Sequence, residues 1–106
     1  MVFVETSLFT RLLRVHLDDE SYRSLQVCLI ERPDAGAVIR GTRGVRKMRW
    51  RAGGKGKSGG VRVIYYWMRS DAQIYFLTIY AKSEKENLTS DDLRTIAKFV
   101  EALKNG

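Results

Sequence analysis

Residues 61–80, VRVIYYWMRSDAQIYFLTIY, contain two runs of β-branched and aromatic side chains. Such runs, here residues 61–68 and 74–80, are typical of β-strands. The segment that separates them, Arg-Ser-Asp-Ala at residues 69–72, favours a hairpin turn. The sequence therefore predicts that two neighbouring antiparallel strands form the centre of a sheet.

A third predicted strand, residues 45–51, precedes this pair, and its apolar and basic side chains alternate. One face of the strand is predicted to carry Arg46, Met48 and Trp50. The other face is predicted to carry Val45, Lys47, Arg49 and Arg51. The link to the next strand, residues 52–60, is rich in glycine and contains two lysines. Three runs joined by short links predict an antiparallel meander with one cationic face.

Helices are predicted on both sides of these strands in the sequence. After a short apolar strand at residues 2–5, a helix capped by Ser7 carries apolar side chains and His16 at helical spacing. A second helix starts at Asp18 or Asp19 and stops before Pro33, which cannot continue it. A final helix follows the capping sequence Thr-Ser-Asp-Asp at residues 89–92.

The predicted fold class is α+β, with the element order β-α-α-β-β-β-α. A helical hairpin and a C-terminal helix are expected to pack with a twisted antiparallel sheet. Because 106 residues suffice for one hydrophobic core and not for two, residues 1–106 are predicted to form a single compact domain.

The rarity of cysteine and histidine excludes several kinds of site. Cys28 is the only cysteine, which excludes an internal disulfide and favours a reducing compartment. His16 is the only histidine and the carboxylates are scattered, so we expect neither a metal ion nor a cofactor. The chain shows neither a signal-peptide pattern nor an apolar run of about 20 residues, and a cytoplasmic location is expected.

The net charge of +7 is concentrated in one part of the chain. Ten Lys and Arg residues, and no Asp or Glu, lie between Asp34 and Asp71. Such a block favours a polyanionic partner, although a solvated basic face would have the same composition. Tyr and Trp residues are interleaved with these bases, which is typical of RNA-stacking surfaces and also of strand residues packed in a core.

The glycine-rich segment 52–60 brings Lys55 and Lys57 just before Arg62, at the start of a predicted strand. It lacks the strand–loop–helix context of a nucleotide-binding P-loop, because another strand follows it. Two interpretations remain open. The three cations clamp a phosphodiester and stabilise charge in a transition state, or the segment is a hairpin loop whose lysines keep it soluble.

Three segments of the chain resemble one known family. They are residues 41–49, GTRGVRKMR, residues 54–66, GKGKSGGVRVIYY, and residues 77–85, LTIYAKSEK. Over nearly the whole chain the sequence is similar to the RelE/ParE toxin superfamily, in particular to HigB-type, RelE-like toxins of bacterial type II toxin–antitoxin systems. The resemblance implies an endonuclease that cuts mRNA in the ribosomal A site without a metal. It also implies a cognate antitoxin, of HigA-like helix-turn-helix type, through which the complex contacts operator DNA.

The resemblance implies roles for individual residues as well. Lys55 and Lys57 match the basic pair before the central strand, and Arg62 matches the arginine that grips the scissile phosphate. Lys82 lies in the basic segment after the last strand and completes the predicted catalytic set. The residues predicted to bind RNA or the ribosome are Arg43, Arg46, Lys47, Arg49, Arg51 and Lys85.

The departures from the family pattern leave alternatives open. Ser83 stands where RelE proper has an arginine, and Thr89 stands near the place of a tyrosine, so the general acid is not identified. The alternative functions are a ParE-like toxin that inhibits a topoisomerase by protein contact, and a basic module that binds RNA without cutting it. ParE-type proteins generally lack the basic set that includes Lys55, Lys57 and Arg62, which makes the endonuclease the preferred hypothesis.

Overall fold

The two predicted runs form the centre of a five-stranded sheet in the part of the chain that the structure, a computed structural model, describes: residues 1–51 and 60–105. The order of strands across the sheet is β1 (Val2–Glu5), β5 (Gln73–Ala81), β4 (Val61–Met68), β3 (Val45–Trp50) and β2 (Ala37–Val38). The helices are α1 (Ser7–His16), α2 (Asp19–Glu31) and α3 (Ser90–Asn105). The predicted α+β class is confirmed.

The sheet is mixed, because β1 pairs in parallel with β5. The predicted antiparallel meander is confirmed for β3, β4 and β5, with a 3-10 turn at Arg69–Asp71 between the last two. The parallel pairing of β1 was not predicted. A parallel pair needs a long connection, and here that connection contains both helices of the hairpin and the remaining strands. β2 was not predicted either, because a strand of two residues is too short to give a periodic signal.

The helix starts follow local capping chemistry. Thr6, one residue before the predicted cap Ser7, caps α1, because its Oγ1 accepts a hydrogen bond from the Phe9 amide at 3.1 Å. The same hydroxyl donates to the Leu77 carbonyl at 2.9 Å and so anchors the start of α1 to β5. Asp18 caps α2, as predicted, by accepting from the Ser21 amide at 2.7 Å.

Apolar side chains cover both faces of the sheet. On one face the helical hairpin packs on the strands, and its core includes Phe9, Leu25, Leu29, Met48, Val63, Tyr65 and Phe76. On the other face α3 packs on the strands, and its core includes Val45, Ile64, Tyr66, Leu77, Tyr80, Ile96 and Val100. The predicted alternation of β3 is confirmed, since Val45 and Met48 belong to opposite cores. Burial on both faces explains why β4 and β5 have nearly continuous apolar sequences.

A β-bulge interrupts the pairing of β4 with β5. Tyr65 pairs with Phe76, but the preceding residue, Ile64, pairs with Thr78, so Leu77 has no counterpart on β4. In a regular strand residues 76 and 80 would share a face, because side chains alternate with a period of two. Instead Phe76 belongs to the hairpin-side core and Tyr80 to the α3-side core. The bulge therefore reverses the sheet face to which each side chain at the end of β5 points.

The start of α3 is a reciprocal capping box. The Thr89 amide donates to Asp92 Oδ2 at 3.0 Å, and the Asp92 amide donates to Thr89 Oγ1 at 3.1 Å. Lys85 Nζ lies 3.2 Å from the same carboxylate. The hydrogen bond from the Thr89 amide is the largest cause that lowers the pKa of Asp92, and Lys85 adds to it.

We expect Asp92→Ala to lower the free energy of unfolding by about 1 kcal/mol at neutral pH, because the capping box is lost. A lowered pKa means that the charge of Asp92 stabilises the fold above the usual pKa of an aspartate and stops doing so as the pH falls through the folded-state value. The difference between the variant and the wild type, measured by urea unfolding, should therefore shrink in acid. Asp91→Ala removes a neighbouring carboxylate that is exposed and serves as the matched control. Equal losses for the two variants would contradict the capping role.

Candidate functional site

The candidate site lies where β3 ends, β4 begins and β5 ends. Arg49 pairs with Arg62 across β3 and β4, and Arg62 pairs with Tyr80 across β4 and β5. Strand alternation places Arg49 and Arg62 on the face of Val45 and Ile64, which is the face that α3 covers. Directly opposed residues have Cβ atoms about 5 Å apart, so these three side chains form one row across the sheet.

Arg62 is the buried member of this row. Its exposed fraction is 6%, and Nη1 lies 3.4 Å from the Val61 carbonyl oxygen. A fully buried arginine is uncommon, because removing a charge from water is costly. A guanidinium held in this way is already oriented, but a ligand can contact it only after the surrounding side chains move.

Tyr80 is the second buried polar side chain of the row. Its exposed fraction is 4%, and among the described residues its hydroxyl has no hydrogen-bond partner. Burial raises the pKa of Tyr80; the guanidinium of Arg62 opposes this shift and the carboxylate of Asp92 adds to it. The phenol therefore remains protonated at neutral pH and is able to donate a hydrogen bond.

Exposed bases surround these two buried side chains. Lys85 Nζ lies 5.2 Å from the centre of the Tyr80 ring, so the ammonium group covers part of the ring. Lys47, on the same face of β3 as Arg49, donates to Asn87 Oδ1 at 3.3 Å. The remaining bases at this end of the sheet are Arg49, Arg51 and Lys82, all of them exposed. The structure thus brings together Lys47, Arg49, Arg51, Arg62, Lys82 and Lys85.

Two of the predicted RNA-binding residues lie elsewhere. Arg43 precedes β3 at the opposite end of the sheet, and its carbonyl accepts from Lys104 at 3.1 Å. Arg46 faces the helical hairpin, where Nη1 donates to the Gly36 carbonyl at 2.7 Å and to the Asp34 carbonyl at 3.2 Å. These bonds hold the connection between α2 and β2. β3 is about 17 Å long, as calculated from the rise per residue of a strand. Arg43 lies before its first residue, whereas Arg62 pairs with Arg49 near its last residue.

Lys55 and Lys57 lie outside the described residues. The chain on either side of them reaches the site, since Trp50 pairs with Val61 and the Lys82 amide donates to the Gly60 carbonyl at 3.3 Å. Gly60 has a φ of +60°, and a Cβ atom there would lie 2.4 Å from the Trp50 carbonyl oxygen. Only glycine fits at this position, because its backbone lies so close to that of Trp50 that a side chain would collide with it.

Three other sequence-based expectations can be compared with residues 1–51 and 60–105. His16, which the sequence placed among the apolar side chains of α1, is buried, and its Nε2 lies 3.3 Å from Glu84 Oε1. Over these residues no three His, Cys, Asp or Glu side chains come together as metal ligands. In the same ranges no helix combines the length and the apolar character needed to cross a bilayer.

Comparison with known proteins gives the family. A family model described as the RelE toxin of the RelE/RelB toxin–antitoxin system matches residues 2–105. The chain belongs to the RelE toxin family. The resemblance inferred from the three sequence segments is therefore confirmed at this level, and the HigB-type assignment stays a prediction.

Two solved structures have the fold of this RelE-family toxin. One is a mutant of the Escherichia coli toxin RelE in the free state, with a TM-score of 0.58 and 16% identity, covering 91% of this chain and 92% of that chain. The other is the intact E. coli RelBE toxin–antitoxin complex, with a TM-score of 0.57 and 16% identity, covering 76% of this chain and 94% of that chain. At this identity the likeness concerns the fold.

Tyr80 was not among the predicted site residues. It is one of several aromatic residues near the basic block, and like Tyr65 and Tyr66 it is buried in a core. Simple alternation would have placed Tyr80 on the face of Phe76, away from Arg62. The β-bulge places Tyr80 on the face of Arg62 instead, and no residue pattern in β5 marks the position of this bulge.

Proposed function

We propose that this RelE-family toxin is a ribosome-dependent mRNA endonuclease formed by a single domain of residues 1–106, and that it acts in the cytoplasm. The observation that carries the proposal is the buried, oriented guanidinium of Arg62 within a rim of exposed Lys and Arg side chains at one end of the sheet. A polyanion is attracted to such a rim, and a fixed guanidinium can bind two oxygens of one phosphate.

In the proposed reaction the RNA supplies its own nucleophile. The 2′-hydroxyl attacks the adjacent phosphorus, a bond from O2′ to phosphorus forms, and the bond to the 5′-oxygen of the next nucleotide breaks. The proton of the 2′-hydroxyl passes to a base, and the leaving oxygen receives a proton. Because the nucleophile is tethered, the protein has to align the groups, stabilise charge and move protons.

Each predicted catalytic residue has a part in this proposal. Arg62 binds the phosphate oxygens, and Lys82 at the exposed rim stabilises the negative charge that develops on them. Lys55 and Lys57 are assigned the same role from the sequence alone. Lys47, Arg49, Arg51 and Lys85 bind the flanking RNA or the ribosome through their exposed charges.

Access to Arg62 requires part of its cover to move. Lys85, which lies over the ring of the neighbouring Tyr80, forms an ion pair with Asp92, and the two side chains are 40% and 37% exposed. Exposed ion pairs contribute at most about 1 kcal/mol, so this contact is easily broken. Binding of the phosphate to Arg62 would then compensate for the opening.

A reconstituted translation system tests the proposal. The purified toxin is added to ribosomes that translate a defined mRNA, and the cut positions are mapped by primer extension. We expect cuts at codon boundaries in translated mRNA and none in the same RNA without ribosomes. Intact mRNA would contradict the proposal. A DNA-damage response without cleavage would support the topoisomerase alternative, and neither effect would support the RNA-binding module.

Cleavage is proposed to need neither histidine nor a transition metal. His16→Gln should leave the cleavage rate unchanged, and it should cost about 1 kcal/mol of stability because a packed ring is lost. Wild-type cleavage should also persist when transition metals are chelated and the magnesium that ribosomes need is kept. A selective loss of cleavage in the folded variant, or an absolute need for zinc or manganese, would contradict this assignment.

The partner is proposed from family membership and from the charge of the site. We expect a separately encoded antitoxin of HigA-like helix-turn-helix type, and contact with operator DNA only through it. Exposed bases at the rim of the interface should make the association sensitive to salt. Co-expression of the adjacent open reading frame tests this. If that product neither rescues growth nor co-purifies with the toxin, the proposed partner is wrong.

A further inference from the structure

The hydroxyl of Tyr80 is buried without a hydrogen-bond partner among residues 1–51 and 60–105. Native proteins rarely leave a buried polar atom in this state, because its lost hydration is not replaced. A phenylalanine at this position would fill the same place between Ile64, Leu77 and α3 without that cost. In this structure the hydroxyl adds no hydrogen bond among the described residues, so packing alone does not explain why the residue is tyrosine and not phenylalanine.

The backbone directs this hydroxyl to the candidate site. Tyr80 pairs with Arg62 across β4 and β5, and the bulge at Leu77 is what places the two side chains on one face. Bulges are frequent beside functional sites, where they re-aim a side chain. The unpartnered hydroxyl belongs to the residue that pairs with the buried Arg62, and the exposed Lys85 lies over the ring that carries this hydroxyl.

We propose that the Tyr80 hydroxyl donates a hydrogen bond to a non-bridging oxygen of the phosphate that Arg62 binds. The inference rests on the proposed endonuclease function and adds a second donor to its phosphate site. No proton is transferred in this role, since the hydroxyl stabilises the charge that grows on the oxygen during attack. Burial and the carboxylate of Asp92 keep the phenol protonated, which suits a donor.

The test compares Tyr80→Phe with the wild type and with Tyr75→Phe. Tyr75 lies on the same strand, and its hydroxyl donates to Gln73 Oε1 at 2.8 Å, remote from Arg62. Single-turnover cleavage is measured on ribosomes programmed with a defined mRNA, and melting temperature is measured for each protein. For Tyr80→Phe we expect cleavage slowed by about 10- to 100-fold, unchanged binding to ribosomes, and a melting temperature equal to or above that of the wild type. Tyr75→Phe should cleave at the wild-type rate.

An Arg62→Ala arm separates the two proposals. Suppose that the wild type cleaves, that Arg62→Ala cleaves at least about 100-fold more slowly, and that Tyr80→Phe cleaves within about twofold of the wild type. The inference about Tyr80 is then wrong and the proposed function stands. If Tyr80→Phe melts well below the wild type, the hydroxyl has a structural partner and the inference is also wrong. If the wild type itself does not cleave, the proposed function fails and the role of Tyr80 fails with it.

Discussion

Arg62→Ala is expected to slow mRNA cleavage by about 10²- to 10³-fold and to abolish growth arrest when the toxin is expressed. The reason is that this guanidinium is the buried cation at the centre of the basic rim, already oriented by its surroundings. Loss of a preorganised positive charge beside the phosphate would raise the free energy of the transition state more than that of the ground state. Growth curves and primer extension measure the two effects.

Two variants control this experiment. Arg69→Ala makes the same change at the far end of β4, where the guanidinium carbon lies 4.6 Å from the Trp67 ring, and should leave cleavage unchanged. Arg62→Lys keeps the charge and loses the planar fork, so it should restore part of the activity at most. Full toxicity in a folded, equally expressed Arg62→Ala protein would remove Arg62 from the proposed mechanism.

Phe76→Ala should give the largest loss of stability, about 3–5 kcal/mol. The Phe76 ring lies between two others, with ring centres 5.5 Å from Phe3 and 4.7 Å from Phe9, both nearly parallel to it. It therefore connects β1, β5 and α1 at one point. Since small domains are typically stable by about 5–15 kcal/mol, the variant would lose a large share of the total.

Urea unfolding followed by circular dichroism measures this loss. Phe99→Ala is the matched control, because Phe99 is 37% exposed on α3 and its ring meets the edge of the Tyr75 ring, with centres 6.3 Å apart. Its free energy of unfolding should fall far less than that of Phe76→Ala. Similar losses for the two variants would show that the stacked rings are not the main support of the hairpin-side core.

The fold was predictable wherever a local pattern carries the information. Alternation located β3, apolar runs located β4 and β5, and the Asp18 cap located the start of α2. The parallel pairing of β1 could not be predicted, because it depends on where the whole chain brings that strand. The shift of the α1 cap from Ser7 to Thr6 could not be predicted either, since both residues are good caps and the Leu77 carbonyl decides between them.

The candidate site was predictable in its charge and not in its geometry. Arg62, Lys82 and Lys85 come together because the ends of neighbouring strands meet there. Arg46 belongs to the same basic block in sequence, but it faces the hairpin and binds the Gly36 carbonyl. Composition cannot distinguish an arginine that donates hydrogen bonds to backbone carbonyls from one that faces solvent. The position of Tyr80 beside Arg62 depends on a β-bulge. One extra residue in β5 moves the side chains that follow it to the opposite face of the sheet.

The central position of β4 has a consequence for the motions of this protein. β4 has paired neighbours on both sides and helices over both faces, whereas β1 and β2 form the edges of the sheet. Opening fluctuations begin where backbone amides are least protected, and the amides of a central strand exchange with solvent last. Fraying of the edges therefore leaves the backbone of Arg62 in place. The buried Arg62 therefore lies on the strand that we expect to unfold last, whereas the exposed bases around it can change conformation without opening the sheet.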